Sequence, residues 1–312
     1  MAQRFLLCCL LLQPALPAMA LEVCDIPPRY GVGETAKAIV RAACGEHRLW
    51  YRPFIDRDGR IASLAITEAE SGNLADNGLI AWQRVAGYWR ESGTLSPMAA
   101  LPGAQSCLVQ PGERTTDNDC RAFLIDNPWS AAFISWVMTR AGVTGFVRSP
   151  RHIDYIRAAR RGGDAARPYR LADPMQEKPA PGDLLCFLRD RSRPVSHGGL
   201  VQALDSGGAD RRESHCEVAV AANVGGDQTL YLIGGNVANA VVMRKLPLDR
   251  TGRLVAPPPL DAGTQPSPVE AGCSPGREEE CDFNRQDWAA LLKLVEMAPV
   301  QQPLPVEPAR PW

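Results

Sequence analysis

Residues 128–142 read PWSAAFISWVMTRAG, and this segment is the most informative about the fold. From Ser130 onward nearly every residue is of a type that proteins bury, and the run ends at Gly142. Such a segment predicts a buried helix that begins at Ser130, with capping and first-turn chemistry at its start. A second helix is predicted in RHIDYIRAARRGG, residues 151–163, which ends at a pair of glycines.

Downstream of these helices the hydrophobic period changes toward two. Four short β-type runs are separated by Gly, Asp and Asn turns: PAPGDLLCFLRD (179–190), HCEVAVAANV (215–224), QTLYLIGGNV (228–237) and AVVMRKLPL (240–248). This spacing predicts an antiparallel meander. Helices followed by a run of strands indicate an α+β protein, whose core we place at residues 116–250.

The region before this core, residues 21–115, is predicted to be mainly helical. Apolar residues have helical spacing in 34–44 and again in 77–91. The turn sequence DRDG at 56–59 lies between two short apolar runs, which predicts a hairpin within 52–64. Residues 93–120 are rich in Gly, Pro, Ser and Thr and contain two cysteines, as expected for a loop closed by a disulfide.

The region after the core, residues 251–312, is a Pro-rich extension with a cysteine loop. Trp288, Leu291, Leu292 and Val295 have helical spacing, so one amphipathic helix is predicted at 284–297 and is expected to pack on the core. The Pro-rich tail at 299–312 is a candidate contact for a protein partner, because such segments favour extended recognition.

The first 20 residues have the features of a cleaved signal peptide. Arg4 precedes an apolar run at 5–12, two prolines follow, and Ala18-Met19-Ala20 supplies the small residues that a signal peptidase needs. A membrane anchor needs about 18 uninterrupted apolar residues, which this run lacks. We therefore expect an exported protein, periplasmic or secreted, without stable membrane insertion.

Cysteine usage agrees with export. Outside residues 1–20 the chain has an even number of cysteines, as expected in an oxidising compartment. Sequence cannot fix their pairing, but short loops favour Cys24–Cys44, Cys107–Cys120 and Cys273–Cys281, which leaves Cys186 and Cys216 as the fourth pair. A zinc site is disfavoured because no CxxC pair is present. For Cys186 and Cys216 we expect a disulfide rather than a role as nucleophile.

The charge balance argues against nucleic acid as a partner. Lys plus Arg number 34 and Asp plus Glu number 35. A protein with almost no net charge has no electrostatic reason to seek nucleic acid or an anionic membrane.

Several motifs occur in an order that suggests a catalytic site. Pro-Trp-Ser opens the buried helix, Pro-Gly-Asp (181–183) starts a strand, His215 begins a later strand, and Gly234-Gly235-Asn236 ends another. This order resembles the papain-like amidases and peptidases of bacterial cell walls, the CHAP and NlpC type. More closely, PWSAAFISWVMTRAG, SPRHIDYI, PGDLLCFLRD, SHCEVAV and IGGNV are similar to the bacterial family known as domain of unknown function 2272, over about residues 75–250.

The resemblance implies a role for each motif residue. Ser130 would be the nucleophile at the positive end of a helix, with backbone N–H groups as an oxyanion hole. His215 would be the base and Asn236 the group that orients it. Trp129, His152 and Glu217 are expected along the substrate groove. His197 is a rival to His215, but it lies in a Gly-rich run suited to a loop.

The departure from the papain-like pattern is the serine itself. A thiol can be converted to a thiolate by a neighbouring imidazole and the helix dipole, whereas a serine needs the base to take its proton during attack. Serine triads generally place a carboxylate behind the histidine, and Asn236 supplies none. Two alternatives therefore stay open: Ser130 as a plain helix cap, and Asn236 as a turn residue.

The predicted function is that of an exported α+β, papain-like hydrolase, an amidase or peptidase. Its substrate class would be peptidoglycan peptides or a related amide, with acyl transfer to Ser130 followed by hydrolysis. No cofactor and no metal are implied. The alternative is a non-catalytic envelope module that binds a peptide or glycan in the same groove.

Overall fold

The fold was analysed in a computed structural model that describes residues 22–27, 31–76, 78–162, 167–189, 195–255, 276 and 281–295. The predicted signal peptide, the tail at 299–312 and Cys273 lie outside these residues. Within them the chain forms six α-helices: α1 (Glu34–Leu49), α2 (Ala81–Ser92), α3 (Arg114–Asp126), α4 (Ser130–Arg140), α5 (His152–Arg160) and α6 (Ser196–Asp205).

The strands of the described residues form one sheet. They are β1 (Phe54–Ile55), β2 (Ile61–Ala62), β3 (Tyr169–Ala172), β4 (Leu184–Leu188), β5 (Ser214–Ala222), β6 (Thr229–Val237), β7 (Ala240–Pro247) and β8 (Asp287–Leu294). The order across the sheet is β2-β1-β7-β6-β5-β4-β8-β3. All pairs are antiparallel except β1 with β7. The protein is therefore an α+β protein, and the meander predicted from β4 to β7 is confirmed.

The sheet separates two apolar clusters, and alternate side chains of β4 belong to one cluster or the other. Along this strand Leu184, Cys186 and Leu188 belong to the larger cluster, which also contains α4 and parts of α1, α2 and α5. Leu185 and Phe187, which alternate with them, belong to a smaller cluster on the opposite face. Since successive side chains of a strand point to opposite faces, helices cover one face of the sheet and the smaller cluster covers the other.

The prediction of an amphipathic helix at 284–297 is wrong, because this segment contains strand β8. β8 pairs with β4 on one side and β3 on the other, so it lies inside the sheet. Ala290 and Leu292 face the larger cluster and Trp288 and Leu291 the smaller one. A strand that is buried on both faces has no polar alternation, and its apolar run then imitates helical spacing.

The sheet also joins the three segments that the sequence suggested as separate regions. β1 and β2 come from residues before 115, and β1 pairs with β7, while β8 comes from beyond 250 and pairs with β4. Ile39 and Trp50 of the first segment are fully buried in the same cluster as Phe133 of α4. The first and last segments thus contribute directly to the core that holds α4.

Three of the predicted disulfides are confirmed: Cys24–Cys44, Cys107–Cys120 and Cys186–Cys216. The last one bridges directly opposed residues of β4 and β5. This places neither cysteine in a position to act as a free nucleophile. The structure does not describe the predicted partner of Cys281.

Candidate active site

Ser130 is the first residue of α4, and the N-cap position of this helix belongs to Trp129. The Oγ atom of Ser130 lies 2.7 Å from Nε2 of His152. Ser130 is buried, with only 3% of its surface exposed. The N–H groups of the first helical turn have no carbonyl partner within the helix, so they can stabilise an oxyanion beside Oγ. The interpretation of Ser130 as a plain cap is therefore not supported.

His152, the first residue of α5, is the histidine that contacts Ser130. Its second ring nitrogen, Nδ1, makes a hydrogen bond with the hydroxyl of Tyr155, one helical turn further along. Burial lowers the pKa of His152 well below its ordinary value, and the nearby charges of His215 and Arg189 lower it further. The ring is consequently neutral near pH 7, with a nitrogen available to hydrogen-bond Ser130.

Ser130 and His152 lie at the wall of a cleft of about 510 Å³. The cleft is bounded by the start of α4, the start of α5, the end of β4 and the segment before β5. Its lining residues are Trp89, Met98, Asn127, Pro128, Ser130, Pro150, Arg151, His152, Ile153, Arg189, Asp210, Arg212, Glu213 and Ser214. The cleft combines a hydroxyl–imidazole pair with three arginines and two carboxylates.

The start of α4 is held by a group of three side chains, the buried Glu68 and Trp129 and the half-buried Asn236. With its amide oriented to satisfy both partners, Asn236 Oδ1 accepts from the Trp129 backbone N–H (3.0 Å) and Nδ2 donates to Glu68 (3.2 Å). The indole of Trp129 donates to the same Glu68 carboxylate at 2.6 Å. Burial raises the pKa of Glu68, and the Trp129 hydrogen bond opposes this shift. Asn236 thus holds the start of α4 and makes no hydrogen bond to a histidine.

The two glycines before Asn236 let β6 approach its neighbours closely. A Cβ on Gly235 would lie 2.5 Å from the Cβ of Phe133, and one on Gly234 would lie 2.7 Å from Cγ of Glu217. Real Cβ atoms do not approach other atoms this closely, so any side chain here would displace α4 or β5. Asn236 itself has a φ of 55°, which asparagine tolerates better than most residues.

His215 lies near the start of β5, on the sheet face opposite to Cys216. Its ring packs against Phe187, with 5.1 Å between ring centroids, and Phe187 belongs to the smaller cluster. Nε2 of His215 is 3.4 Å from a Glu217 carboxylate oxygen, without the geometry of a hydrogen bond. Nδ1 is 3.5 Å from the Arg189 guanidinium. His215 therefore makes no hydrogen bond to Ser130 or Asn236, which corrects the predicted grouping of these three residues.

Glu217, the carboxylate beside His215, forms a buried ion pair with Arg244. Arg244 donates to Glu217 at 2.9 Å, and the same guanidinium binds the backbone oxygen of Phe283 and the side chain of Asn284. Burial alone would raise the pKa of Glu217, but the charges of Arg244 and His215 lower it to about 2. Burial lowers the pKa of His215, and Glu217 only partly opposes this.

The two histidines meet at the end of the sheet. The ring centroids of His152 and His215 are 5.2 Å apart. His152 thus lies between Ser130 on the helix side and His215 on the other side.

Two further corrections concern the predicted groove. Trp129 and Glu217 are both completely buried and do not line the cleft. Trp129 packs instead between the rings of Trp50 and Tyr88, with centroids 5.9 and 5.5 Å away. Of the three residues expected along the groove, His152 alone lies on it.

The remaining histidines have structural hydrogen bonds. His197 lies in α6, not in a loop as expected, and its Nδ1 contacts the backbone oxygen of Ala289 at 2.9 Å. His47 in α1 contacts the backbone oxygen of Pro53 at 2.9 Å. Neither takes part in the cleft.

Sequence reasoning missed Tyr155, Glu68 and Arg189. The spacing of His152 and Tyr155, three residues apart in a predicted helix, is a signal that could have identified Tyr155. Glu68 and Arg189 reach the site only through the tertiary fold. Among the residues that the structure describes, no group of His, Cys, Asp and Glu is arranged to hold a metal ion. No helix within the described ranges is long and apolar enough to cross a bilayer.

The fold and the cleft define an α+β protein with a serine–histidine pair at the start of a buried helix. Comparison with family models then gives one match, "Uncharacterized protein conserved in bacteria (DUF2272)", over residues 76–294. This match covers more than half of the chain, so the protein belongs to that family. It includes α2 to α6 and β3 to β8, and thus the whole cleft. Searches of curated proteins and of solved structures find no match.

Proposed function

We propose that this protein is an exported hydrolase of amide bonds in which Ser130 is the nucleophile and His152 the general base. The observation that carries the proposal is the 2.7 Å contact between Ser130 Oγ and His152 Nε2 at the wall of the cleft. A nucleophile within hydrogen-bond reach of a base is the geometry that acyl transfer requires. The packing of this helix on an antiparallel sheet also supports a papain-like fold.

In the proposed reaction Ser130 Oγ attacks the carbonyl carbon of the substrate while its proton passes to His152 Nε2. The first-turn N–H groups of α4 stabilise the negative charge that develops on the carbonyl oxygen. The C–N bond then breaks, His152 returns the proton to the leaving amine, and Ser130 holds the acyl group as an ester. Water, deprotonated by His152, hydrolyses this ester and restores the serine.

Tyr155 takes the place that a carboxylate occupies in most serine triads. For His152 Nε2 to accept a proton, Nδ1 must carry one and donate it to the Tyr155 oxygen. A phenol orients the ring in this tautomer but supplies no negative charge to stabilise an imidazolium. His152 is accordingly a weak base, and we expect modest turnover with an acid limb well below pH 6.5, because burial lowers the pKa of His152.

The substrate class follows from the location of the protein and the resemblance of its motifs. Three disulfides among the described residues are consistent with an exported protein. Papain-like enzymes with similar motif order act on bacterial cell walls. Peptide amides of peptidoglycan are therefore the first substrates to test.

A second candidate function is a non-catalytic module that binds a peptide or glycan in the cleft. One observation favours it: if the Tyr155 hydroxyl donates to His152 Nδ1, the Nε2 proton points at Ser130 and the ring cannot act as its base. The cleft would then hold its ligand without cleaving it.

The deciding experiment incubates the purified protein with peptidoglycan and identifies released fragments by mass spectrometry. Ser130→Ala, Ser130→Cys and a control, Ser71→Ala at an exposed serine outside the cleft, are treated in parallel. We expect fragments from the wild type and Ser71→Ala and none from Ser130→Ala. Cleavage by Ser130→Cys alone would favour the binding module. If none of the four proteins releases fragments, the cell-wall substrate is excluded.

A further inference from the structure

We propose that Arg189 and Arg212 form a carboxylate-binding subsite in the cleft beside Ser130 and His152. The inference rests on the proposed function, since it names a chemical feature of the substrate bound at that site. It restricts the substrate to a molecule with a free carboxylate near the amide bond.

The charges of the cleft are unequally compensated. Arg151 is held by the Asp154 carboxylate at 2.8 Å. Asp210 forms an ion pair with Arg157 and lies 3.9 Å from Arg151. Arg151 and Asp210, which line the cleft, are therefore compensated by neighbouring charges.

Arg189 and Arg212 also line the cleft, and neither forms an ion pair with any carboxylate of the described residues, although Glu213, another lining residue, acts on Arg189 through its charge. The Arg189 guanidinium donates a hydrogen bond to His215 Nδ1 at 3.5 Å. Since burial lowers the pKa of His215, that ring is neutral near pH 7 and does not compensate the arginine.

Arg212 carries the second observation. Its Nε atom is buried and has no hydrogen-bond partner among the described residues. A buried donor without a partner is unfavourable, so a ligand that accepts its hydrogen bond is favoured. Arg189 shows a related cost: burial of part of its side chain lowers its pKa, although the residue as a whole is exposed. Binding of an anion would therefore stabilise both guanidinium groups.

A carboxylate is the anion that best fits this position. The planar guanidinium presents paired donors that match the two oxygens of a carboxylate. Because both arginines lie in the same cleft as Ser130, a carboxylate bound there would lie close to the group under attack. A peptide with a free α-carboxylate places these two groups within a residue or two of each other.

The test measures binding to Ser130→Ala, which retains the cleft and cannot form an acyl-enzyme. N-acetyl-alanyl-alanine and its C-terminal amide are titrated against this protein and followed by NMR. We expect the carboxylate peptide to bind at least about tenfold more tightly than the amide, as charge-assisted hydrogen bonds predict. Adding Arg189→Gln or Arg212→Gln should abolish this preference. Arg114→Gln, at an exposed arginine of α3 outside the cleft, should leave it unchanged.

Several outcomes would overturn the proposal. Equal binding of the two peptides, no binding of the carboxylate peptide at millimolar concentration, or a preference that survives both arginine substitutions would each do so. Inorganic phosphate is titrated alongside, and phosphate binding without peptide binding would show an anion site of a different kind. Unfolding of the arginine variants is checked by thermal denaturation, with Arg212→Lys as a milder change that should keep the charge but weaken the preference.

The failure of this subsite is distinguishable from failure of the proposed function. Carboxylate-dependent binding without hydrolysis by the wild type would support the subsite and contradict the hydrolase. Hydrolysis that does not distinguish acids from amides would support the hydrolase and contradict the subsite.

Discussion

The surroundings of the two buried histidines, His152 and His215, differ although their rings are only 5.2 Å apart. His152 faces a cleft and binds a serine hydroxyl, with a phenol behind it. His215 faces the opposite side of the sheet, where Glu217 and Arg244 form a closed ion pair. The same residue type at nearly the same depth thus belongs to a site with access for a ligand in one case and to the packed interior in the other.

The difference shows that a carboxylate beside a histidine does not by itself identify a catalytic base. Glu217 has the chemistry expected for a triad, but Arg244 already neutralises it and the nearby His215 makes no hydrogen bond to Ser130. His152 has the weaker partner but lies beside Ser130. Contact with Ser130, rather than the strength of the charge network, separates the two histidines.

Substitution of His152 should have the largest effect on activity, and it tests the difference between the two histidines. His152→Gln should lower kcat/KM by about 10²–10⁴-fold, the usual contribution of a general base. His215→Gln should leave kcat within about tenfold of the wild type and act mainly on stability. Steady-state kinetics on a cleaved substrate, with thermal denaturation of each variant, measure both. A greater loss of kcat in a folded His215→Gln than in His152→Gln would reverse the assignment.

A second large effect is expected on breaking the buried Glu217–Arg244 ion pair beside His215. Glu217→Gln leaves the buried Arg244 charge without its partner, which should lower the free energy of unfolding by about 3–5 kcal/mol. Glu177→Gln breaks the exposed ion pair with Arg170 and should cost no more than about 1 kcal/mol. Urea denaturation gives both values. Similar small losses for the two variants would mean that the Glu217 network does not stabilise the fold as its burial suggests.

The smallest expected effect is a pH dependence shared by both histidines. Burial lowers both pKa values, so below about pH 6.5 the unfolded chain binds protons that the folded protein does not. Stability should therefore be complete above this pH and fall as the pH decreases, by up to about 1.4 kcal/mol per pH unit for each imidazole. Arg189 opposes protonation of both rings, while Glu217 favours that of His215.

Denaturation at several pH values between 7.5 and 5 checks this expectation. His152→Gln and His215→Gln should each make the decrease shallower, and His152→Gln more so because its ring lacks a carboxylate. Ser130→Ala, which changes the site without removing a titratable group, should retain the slope of the wild type. A slope that is unchanged in both histidine variants would place the pH dependence elsewhere in the protein.

Local patterns in the sequence were sufficient for much of the fold. The buried helix at Ser130, the amphipathic helices α1, α2 and α5, the hairpin of β1 and β2 and the meander from β4 to β7 were predicted because each has a clear period or turn signal. Three disulfides followed from short spacings and alternation. Strand β8 was mistaken for a helix because burial on both faces removed the polar positions that reveal a strand.

For the candidate site, local pattern and chain order were enough to predict that Ser130 begins a buried helix and that His152 and His215 lie at the start of two other elements. Which histidine meets the serine depends on the tertiary structure. His215 and Cys216 must point to opposite faces of β5, and the disulfide partner Cys186 lies in the cluster on the helix side. His215 is thereby directed away from α4, and His152 takes the place beside Ser130.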